Sequence, residues 1–306
     1  MGLSLALNED GVQRAVPFGS PSDTPHMLSV VIVNFNGARF LKAALDTILA
    51  SNLSVPLEVI VVDNASQDAS LDILNAYRTR IRLICNSQNT GFAAANNQGV
   101  ALASGDVVFL LNNDTLTPPD TCARLMQVLC ANPTIGAIGP CLQNADGSRQ
   151  TTGGLLGQWQ YRKSEATSVS FLSGAAVMMR RALYLELGGF DEMFFFYNED
   201  LDLCKRIQKA GYLLCFLPTA TLTHLGGQST HFLGQKALIE GYRGGLYFCY
   251  KHYGVLSYCV YRTVLIPVTL LLMIFYAMTG WSAARRQQVR SFAYIFHMVL
   301  MKGYQK

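Results

Sequence analysis

From Leu28 onward the chain alternates strand-like and helix-like segments with a regularity that only a parallel sheet accommodates. LSVVIVNF is an apolar, β-branched run; after Gly37, an amphipathic stretch carries Phe40, Leu41, Ala44, Leu45 and Ile48 at helical spacing. LEVIVVDNAS repeats the unit, with a strand over 57–62, a turn through Asp63 and Asn64, and a helix capped near Ser66 whose face holds Leu71, Leu74 and Tyr77. A third strand over 82–85 leads through Asn89, Thr90 and Gly91 into an alanine-rich helix ending near Ser104. The fourth run, Val107, Val108, Phe109, Leu110 and Leu111, is apolar at every position, which suits a strand buried on both faces. Right-handed crossovers between such strands give an α/β fold with a mainly parallel sheet flanked by helices.

That topology gives function a place. Asn34, Asp63, Asn89 and Asp114 each fall just beyond a strand, so they line one edge of the sheet, where open α/β sheets bind ligands. The break after the fourth strand, Asn112–Asn113–Asp114, reads either as a polar turn or as the position of a metal or phosphate ligand. No GxGxxG follows the first strand and no GxxxxGK[ST] is present, which disfavours dinucleotide oxidoreductases and P-loop ATPases.

Residues 194–206, FFFYNEDLDLCKR, cluster three carboxylates where an amphipathic helix begins. Asn198 is a good N-cap, Glu199, Asp200 and Asp202 fall in the first turn, and Leu201, Leu203, Ile207 and Ala210 are the apolar positions before Gly211. Acids there complement the helix dipole. The aromatic run before them, Phe194 to Tyr197, adds a second reading: a partly desolvated carboxylate gains base strength.

With half of its 306 residues hydrophobic, the chain can bury a large core and is expected to hold one large domain plus an appendage. A net charge of +4, with no arginine-rich stripe or zinc-finger spacing, indicates no nucleic acid partner. The cysteines, at 85, 122, 130, 141, 204, 215, 249 and 259, form no CxxC pair and read as reduced, mostly buried thiols of a cytosolic compartment. Residues 1–27 are expected to form a mobile tail; they lack a signal-peptide core, so export is not expected.

Beyond residue 231 tyrosines crowd around Arg243, Lys251, His252 and Arg262, a mixture suited to the headgroup region of a bilayer. Residues 263–281 carry no charge; as a helix they extend about 28 Å at roughly 1.5 Å per residue, near the ~30 Å of bilayer hydrocarbon. A buried helix packed on the catalytic domain is the other reading, favoured by Pro267. Arg285, Arg286 and Arg290 follow, and Phe292, Ile295, Phe296, Val299 and Leu300 then mark an apolar face suited to a membrane surface. With basic residues on both sides, a re-entrant or in-plane helix returning to the cytosolic face fits better than a single span.

The order of motifs resembles the inverting glycosyltransferases of family 2, which have the GT-A fold. The resemblance runs from about Leu28 to Thr230 and rests on SVVIVNFN, VVDNAS, NTGFAAANNQG, LLNND, SGAAVMMRR, GGFDE with NEDLDLCKR, and HLGGQST. The NND variant and the GGFDE…NEDLDLCKR segment look most like rhamnosyltransferases of bacterial surface polysaccharide synthesis. The resemblance implies a nucleotide-binding half over 28–115, an acceptor and catalytic half over 116–230, and a membrane-associating helical region over 231–306.

It also implies roles. Asn34, Phe35, Asp63, Asn89, Asn97, Asn112 and Asn113 would contact the nucleotide, Phe35 by stacking on the base and Asp63 by accepting hydrogen bonds from it. Asp114, in the place of the DxD motif, and His224 would hold Mn²⁺ or Mg²⁺; the family's first Asp is here Asn112, which removes one negative charge. Asp200 would be the base that deprotonates an acceptor hydroxyl, with Glu199 and Asp202 orienting the acceptor or the base, and Ser173, Gly174 and Trp159 would lie on the acceptor side. The implied substrates are a nucleotide-diphosphate sugar, best matched by dTDP-rhamnose, and a saccharide or lipid-linked acceptor at the cytoplasmic face of the membrane. A nucleotidyltransferase is the rival enzyme, but NFNGARF is a poor triphosphate loop. An inactive membrane-attached nucleotide-sugar binder is the rival from another class.

Overall fold

The computed structural model describes residues 26–150, 158–226, 234–279 and 282–302. They form two compact units, one of residues 26–191 with 200–226, the other of residues 192–199 with 234–302. The expected N-terminal tail lies outside the described residues, apart from its last two positions.

The first unit is built on a nine-stranded sheet. Four strands, β1 (Leu28–Asn34), β2 (Leu57–Asp63), β3 (Arg82–Cys85) and β4 (Val107–Asn112), run parallel in the order β3-β2-β1-β4. Beyond β4 the sheet is mixed: β8 (Ala176–Arg180) is antiparallel to β4 and to β6 (Ile135–Gln143), and β9 (Leu213–His224) is parallel to β6. The short strands β5 (Thr115–Leu116) and β7 (Thr167–Val169) both pair antiparallel with β9.

The sheet is a middle layer because its strands are apolar on both faces. Val30, Ile32, Phe109 and Leu111 face one core with Leu41, Leu45 and Ile48 of α1 (Ala38–Leu49) and Leu125 and Leu129 of α4 (Thr121–Ala131). Val31, Ile60, Val108 and Leu110 face the other, with Ala93 and Val100 of α3 (Phe92–Leu102) and Leu203 and Ile207 of α6 (Glu199–Lys209). The helix after β2, α2 (Ser70–Ala76), starts four residues beyond the expected cap at Ser66, and α5 (Arg181–Glu186) follows β8. Ser29, fully buried in β1, is satisfied: its hydroxyl donates to Glu58 Oε2 at 2.6 Å and accepts from Gly105 N–H at 2.8 Å.

Within α6 the buried face is Leu203, Cys204 and Ile207; Leu201 and Ala210, expected on it, are exposed.

In the second unit α7 (Gln235–Met278) is broken at Gly254, whose φ of 80° only glycine adopts without strain. Tyr250 meets Tyr258 across the break at 6.0 Å, and Phe292 of α8 (Ala283–His297) meets both Tyr242 at 6.4 Å and Tyr276 at 5.6 Å. The two halves of α7 and α8 therefore share one core, which also holds Leu246, Leu265, Ile295, Met298 and Val299. This corrects the expectation for the last helix: much of its apolar face is taken up by α7, leaving Leu300 exposed and Phe296 partly so. The exposed apolar stripe instead runs along the second half of α7, through Leu256, Val260, Val264, Val268, Leu271, Phe275 and Met278. By length and composition, α7 is long and apolar enough to cross a membrane.

The aromatic run 194–197 also belongs to this unit. Phe194 packs on Tyr247 at 5.0 Å, Lys236 Nζ lies 3.9 Å from the Phe195 ring centre, and Asn198 donates to Gly241 O at 3.1 Å. The run expected to desolvate the acids is engaged with α7, and Tyr197 and Asn198, both at φ 71°, turn the chain into α6.

Candidate active site

Strand register builds the site. In the parallel ladder Asn34 stands beside Asp63, and Val33 beside Asn112, so β1, β2 and β4 deliver their terminal polar groups to one edge. There Asn34, fully buried, donates to Asp63 Oδ1 at 2.8 Å and accepts from Asn113 Nδ2 at 2.7 Å. Ser66 closes the cluster: its N–H and hydroxyl both donate to the Asp63 carboxylate, at 2.9 and 2.6 Å, and its oxygen accepts from Asn36 N–H. This is why Ser66 does not cap α2. Phe35, half-buried, follows directly on β1. Gly37 is required beside this cluster, since a Cβ there would lie 2.1 Å from Asn113 Nδ2 and 2.4 Å from Asn34 Oδ1.

Asn89 belongs to a neighbouring network. Its Oδ1 accepts from Asn64 Nδ2 at 3.0 Å and from Gly91 N–H at 2.9 Å, shaping the turn into α3. Asn97 is drawn further away: it donates to Phe190 O and accepts from Tyr184 hydroxyl and Phe190 N–H, all within 2.9 Å. Those contacts make it an anchor between α3 and the turn after α5.

The NND turn joins the remaining groups. Asn112 N–H donates to Ala175 O at 3.0 Å, and its Nδ2 lies 3.4 Å from His224 Nε2. Pairing of Thr115 in β5 with His224 at the end of β9 sets the histidine beside Asp114, with Nε2 to Oδ1 at 3.3 Å. Asp114 is buried and its Oδ1 has no hydrogen-bond donor among the described residues. A buried carboxylate oxygen facing an imidazole nitrogen suits a divalent cation better than it suits a closed hydrogen-bond network. Among the described residues these two form the whole side-chain carboxylate and imidazole set; no group of three or more His, Cys, Asp or Glu converges.

Asp200 is tied to the same region. Its Oδ2 accepts from Gly174 N–H at 3.0 Å and its Oδ1 from Leu201 N–H at 2.9 Å. Although the residue keeps an opening to solvent, desolvation of the carboxyl dominates and holds its pKa above the ordinary aspartate value, against the pull of the two N–H donors. Ser173, next to Gly174, is half-buried, with its hydroxyl accepting from Ala175 N–H at 3.3 Å. Glu199 is buried at the first position of α6. Asp202 is fully buried and pairs with Arg206 at 2.7 Å, so it organises the helix. Trp159, in a short 3₁₀ turn over Gln158–Arg162, is 60% exposed and free to meet a large solute.

Sequence reasoning took Ser66 only as a helix cap and did not single out Asn36 or Gln150. Ser66 stands inside VVDNAS, where a serine three residues after an aspartate is the mark of a carboxylate-capped turn. Nothing local marked Gln150, which meets His224 across 74 residues of sequence.

The sequence model of glycosyl transferase family 2 matches residues 29–188. An N-acetylglucosaminyl-diphospho-decaprenol L-rhamnosyltransferase of Mycobacterium tuberculosis is 29% identical over 239 residues, covering 67% of this chain and 78% of the relative. Among solved structures, the mannosyltransferase PcManGT of Pyrobaculum calidifontis, in complex with GDP-Man and Mn²⁺, superposes with a TM-score of 0.57 at 20% identity over 92% of this chain and 88% of that one. TarS 1-349 of S. aureus gives 0.54 at 15% identity over 91% and 93%. The two structural likenesses speak for the fold.

Proposed function

Because this chain belongs to glycosyl transferase family 2 and has the GT-A fold, we propose that it moves rhamnose from dTDP-rhamnose to a saccharide or lipid-linked acceptor in cell-surface polysaccharide synthesis. That it is a glycosyltransferase follows from the family. The choice of sugar is supported by the rhamnosyltransferase relative, and that of a lipid-linked acceptor by the decaprenol in the relative's substrate.

The observation that carries the reading is the continuous polar edge from Asp63 through Asn34, Asn113 and Asn112 to Gly174 and Asp200. Asp63 holds the pyrimidine base by accepting from its ring N–H, with Phe35 against the base face. Asp114 and His224 hold a divalent cation, which when bound neutralises charge on the leaving diphosphate. Asp200 takes the proton of the acceptor hydroxyl as that oxygen attacks the anomeric carbon from the side opposite the diphosphate; the outcome is inversion. Its raised pKa suits this task, and the Gly174 and Leu201 N–H groups fix the carboxylate in place. The apolar stripe of α7 rests in the cytoplasmic face of the membrane and keeps the enzyme near its lipid-linked acceptor.

The test is a donor panel of dTDP-rhamnose beside several UDP- and GDP-sugars, with Mn²⁺ or Mg²⁺, with and without a lipid-linked acceptor. Acceptor-dependent release of dTDP from dTDP-rhamnose alone is expected. Turnover of another donor in its place overturns the sugar assignment; donor binding without turnover anywhere favours an inactive binder.

A further inference from the structure

We propose that Gln150 is a positioning residue that fixes the tautomer of His224, keeping the hydrogen on Nδ1 and the Nε2 lone pair facing Asp114. The inference rests on Asp114 and His224 as the cation ligands.

The argument comes from which atoms can donate. The Gln150 side chain meets His224 twice: one end of its amide lies against the His224 backbone carbonyl, and the other lies 3.0 Å from Nδ1. A backbone carbonyl only accepts, so the amide end beside it is the NH₂ group. The end facing Nδ1 is then the oxygen, which also only accepts, so Nδ1 must carry the hydrogen. In the neutral ring this leaves Nε2 with a free lone pair. That nitrogen is the one 3.3 Å from Asp114 Oδ1 and 3.4 Å from Asn112 Nδ2.

The backbone of Gln150 is held independently. A tight turn returns the chain from β6: Asn144 N–H donates to Ser148 O at 2.8 Å, Gln143 bridges to Arg149, and Gln150 N–H donates to Leu142 O at 2.8 Å. Gln150 therefore reaches His224 from a fixed platform and constrains both ends of one residue, its carbonyl and its ring. Orientation of a ligand imidazole through its second nitrogen typically changes metal affinity by about 10–100-fold. No other side chain among the described residues hydrogen-bonds His224 Nδ1.

The experiment combines a tautomer readout on the metal-free protein with Mn²⁺ titration. Ring ¹⁵N shifts of His224, assigned by the loss of its signals in His224→Ala, are recorded at pH 8 for wild type, Gln150→Leu and Gln150→Glu. Wild type is expected to show protonated Nδ1 and unprotonated Nε2. Gln150→Leu is expected to lose that preference and to bind Mn²⁺ about 10-fold or more weakly. Gln150→Glu keeps an acceptor for Nδ1 and is expected to keep the tautomer, which holds the test open if the leucine variant folds poorly. An Nε2–H tautomer in wild type, or an unchanged tautomer in Gln150→Leu, overturns the inference. Unchanged Mn²⁺ affinity in His224→Ala overturns the cation reading instead, and the ¹⁵N shifts then still decide whether Gln150 sets the tautomer.

Discussion

Gly174 N–H donates to Asp200 Oδ2 at 3.0 Å, while the neighbouring Ala175 carbonyl accepts from Asn112 N–H at the same distance. One turn thus holds the carboxylate of α6 and the end of β4 together. If Asp200 is the base, Asp200→Asn should fold, bind donor and lose turnover by about 10²-fold or more. Near-normal kcat in that variant would remove Asp200 from the role.

The same carboxyl predicts a pH profile. A base acts deprotonated, and desolvation raises the Asp200 pKa in the folded protein. Activity should therefore fall as pH drops through that raised value, with the acid limb of kcat lying above the ordinary aspartate pKa of about 3.9. The limb should vanish in the residual activity of Asp200→Asn; its persistence would assign the titration to another group.

Removal of divalent ions with EDTA should abolish transfer, and Mn²⁺ should restore it. His224→Ala should raise the Mn²⁺ concentration needed for half-activation by at least about 10-fold. Transfer that survives thorough chelation would leave Asp114 and His224 without this role.

Gly37→Ala forces a methyl group into the Asn34–Asn113 pair. The expected cost is about 1–3 kcal/mol of stability, together with weaker dTDP binding. Calorimetric unfolding and nucleotide titration measure the two. Loss of stability with unchanged dTDP affinity would place the nucleotide elsewhere than against this cluster.

Asn97→Ala separates anchoring from substrate contact. Loss of the bonds to Tyr184 and Phe190 should cost about 1–3 kcal/mol of stability while donor KM changes little. A large rise in KM with stability intact would show Asn97 acting as a donor contact.

The double variant Leu271→Glu with Phe275→Glu puts two charges on the exposed stripe of α7. Flotation with anionic lipid vesicles should fall sharply, while Mn²⁺ binding is unchanged. Undiminished flotation would show that this stripe is not the lipid-facing surface.

Much of this was legible in the sequence where one local signal dominated. The four parallel strands could be read because β-branched runs buried on both faces have no competing pattern, and the polar edge followed from their shared direction. The strands β5, β6 and β7 were not read: β5 and β7 are two and three residues long, and β6 contains Pro140 and two register shifts, so periodicity had nothing to work on. Ser66 was read as a cap for α2 but bonds the Asp63 carboxylate, and the bonds of Asn97 to Tyr184 and Phe190 were not anticipated, because a short polar side chain serves a turn, a cap or a ligand equally well in sequence. The apolar face of α8 matched a membrane helix in composition, and only packing revealed that α7 covers much of it.

Arg206 reaches out from α6 with three bonds, to Asp202, to Leu187 O and to Gly189 O, each at 2.7 Å, and Asn97 of α3 grips Phe190 in the same turn. The turn over 187–190 consequently acts as a gauge block: its length sets the spacing between α3 and the helix that carries Asp200. Adding or deleting one residue there would leave every reactive side chain in place in the sequence, yet displace the Asp200 carboxylate by the width of a peptide unit.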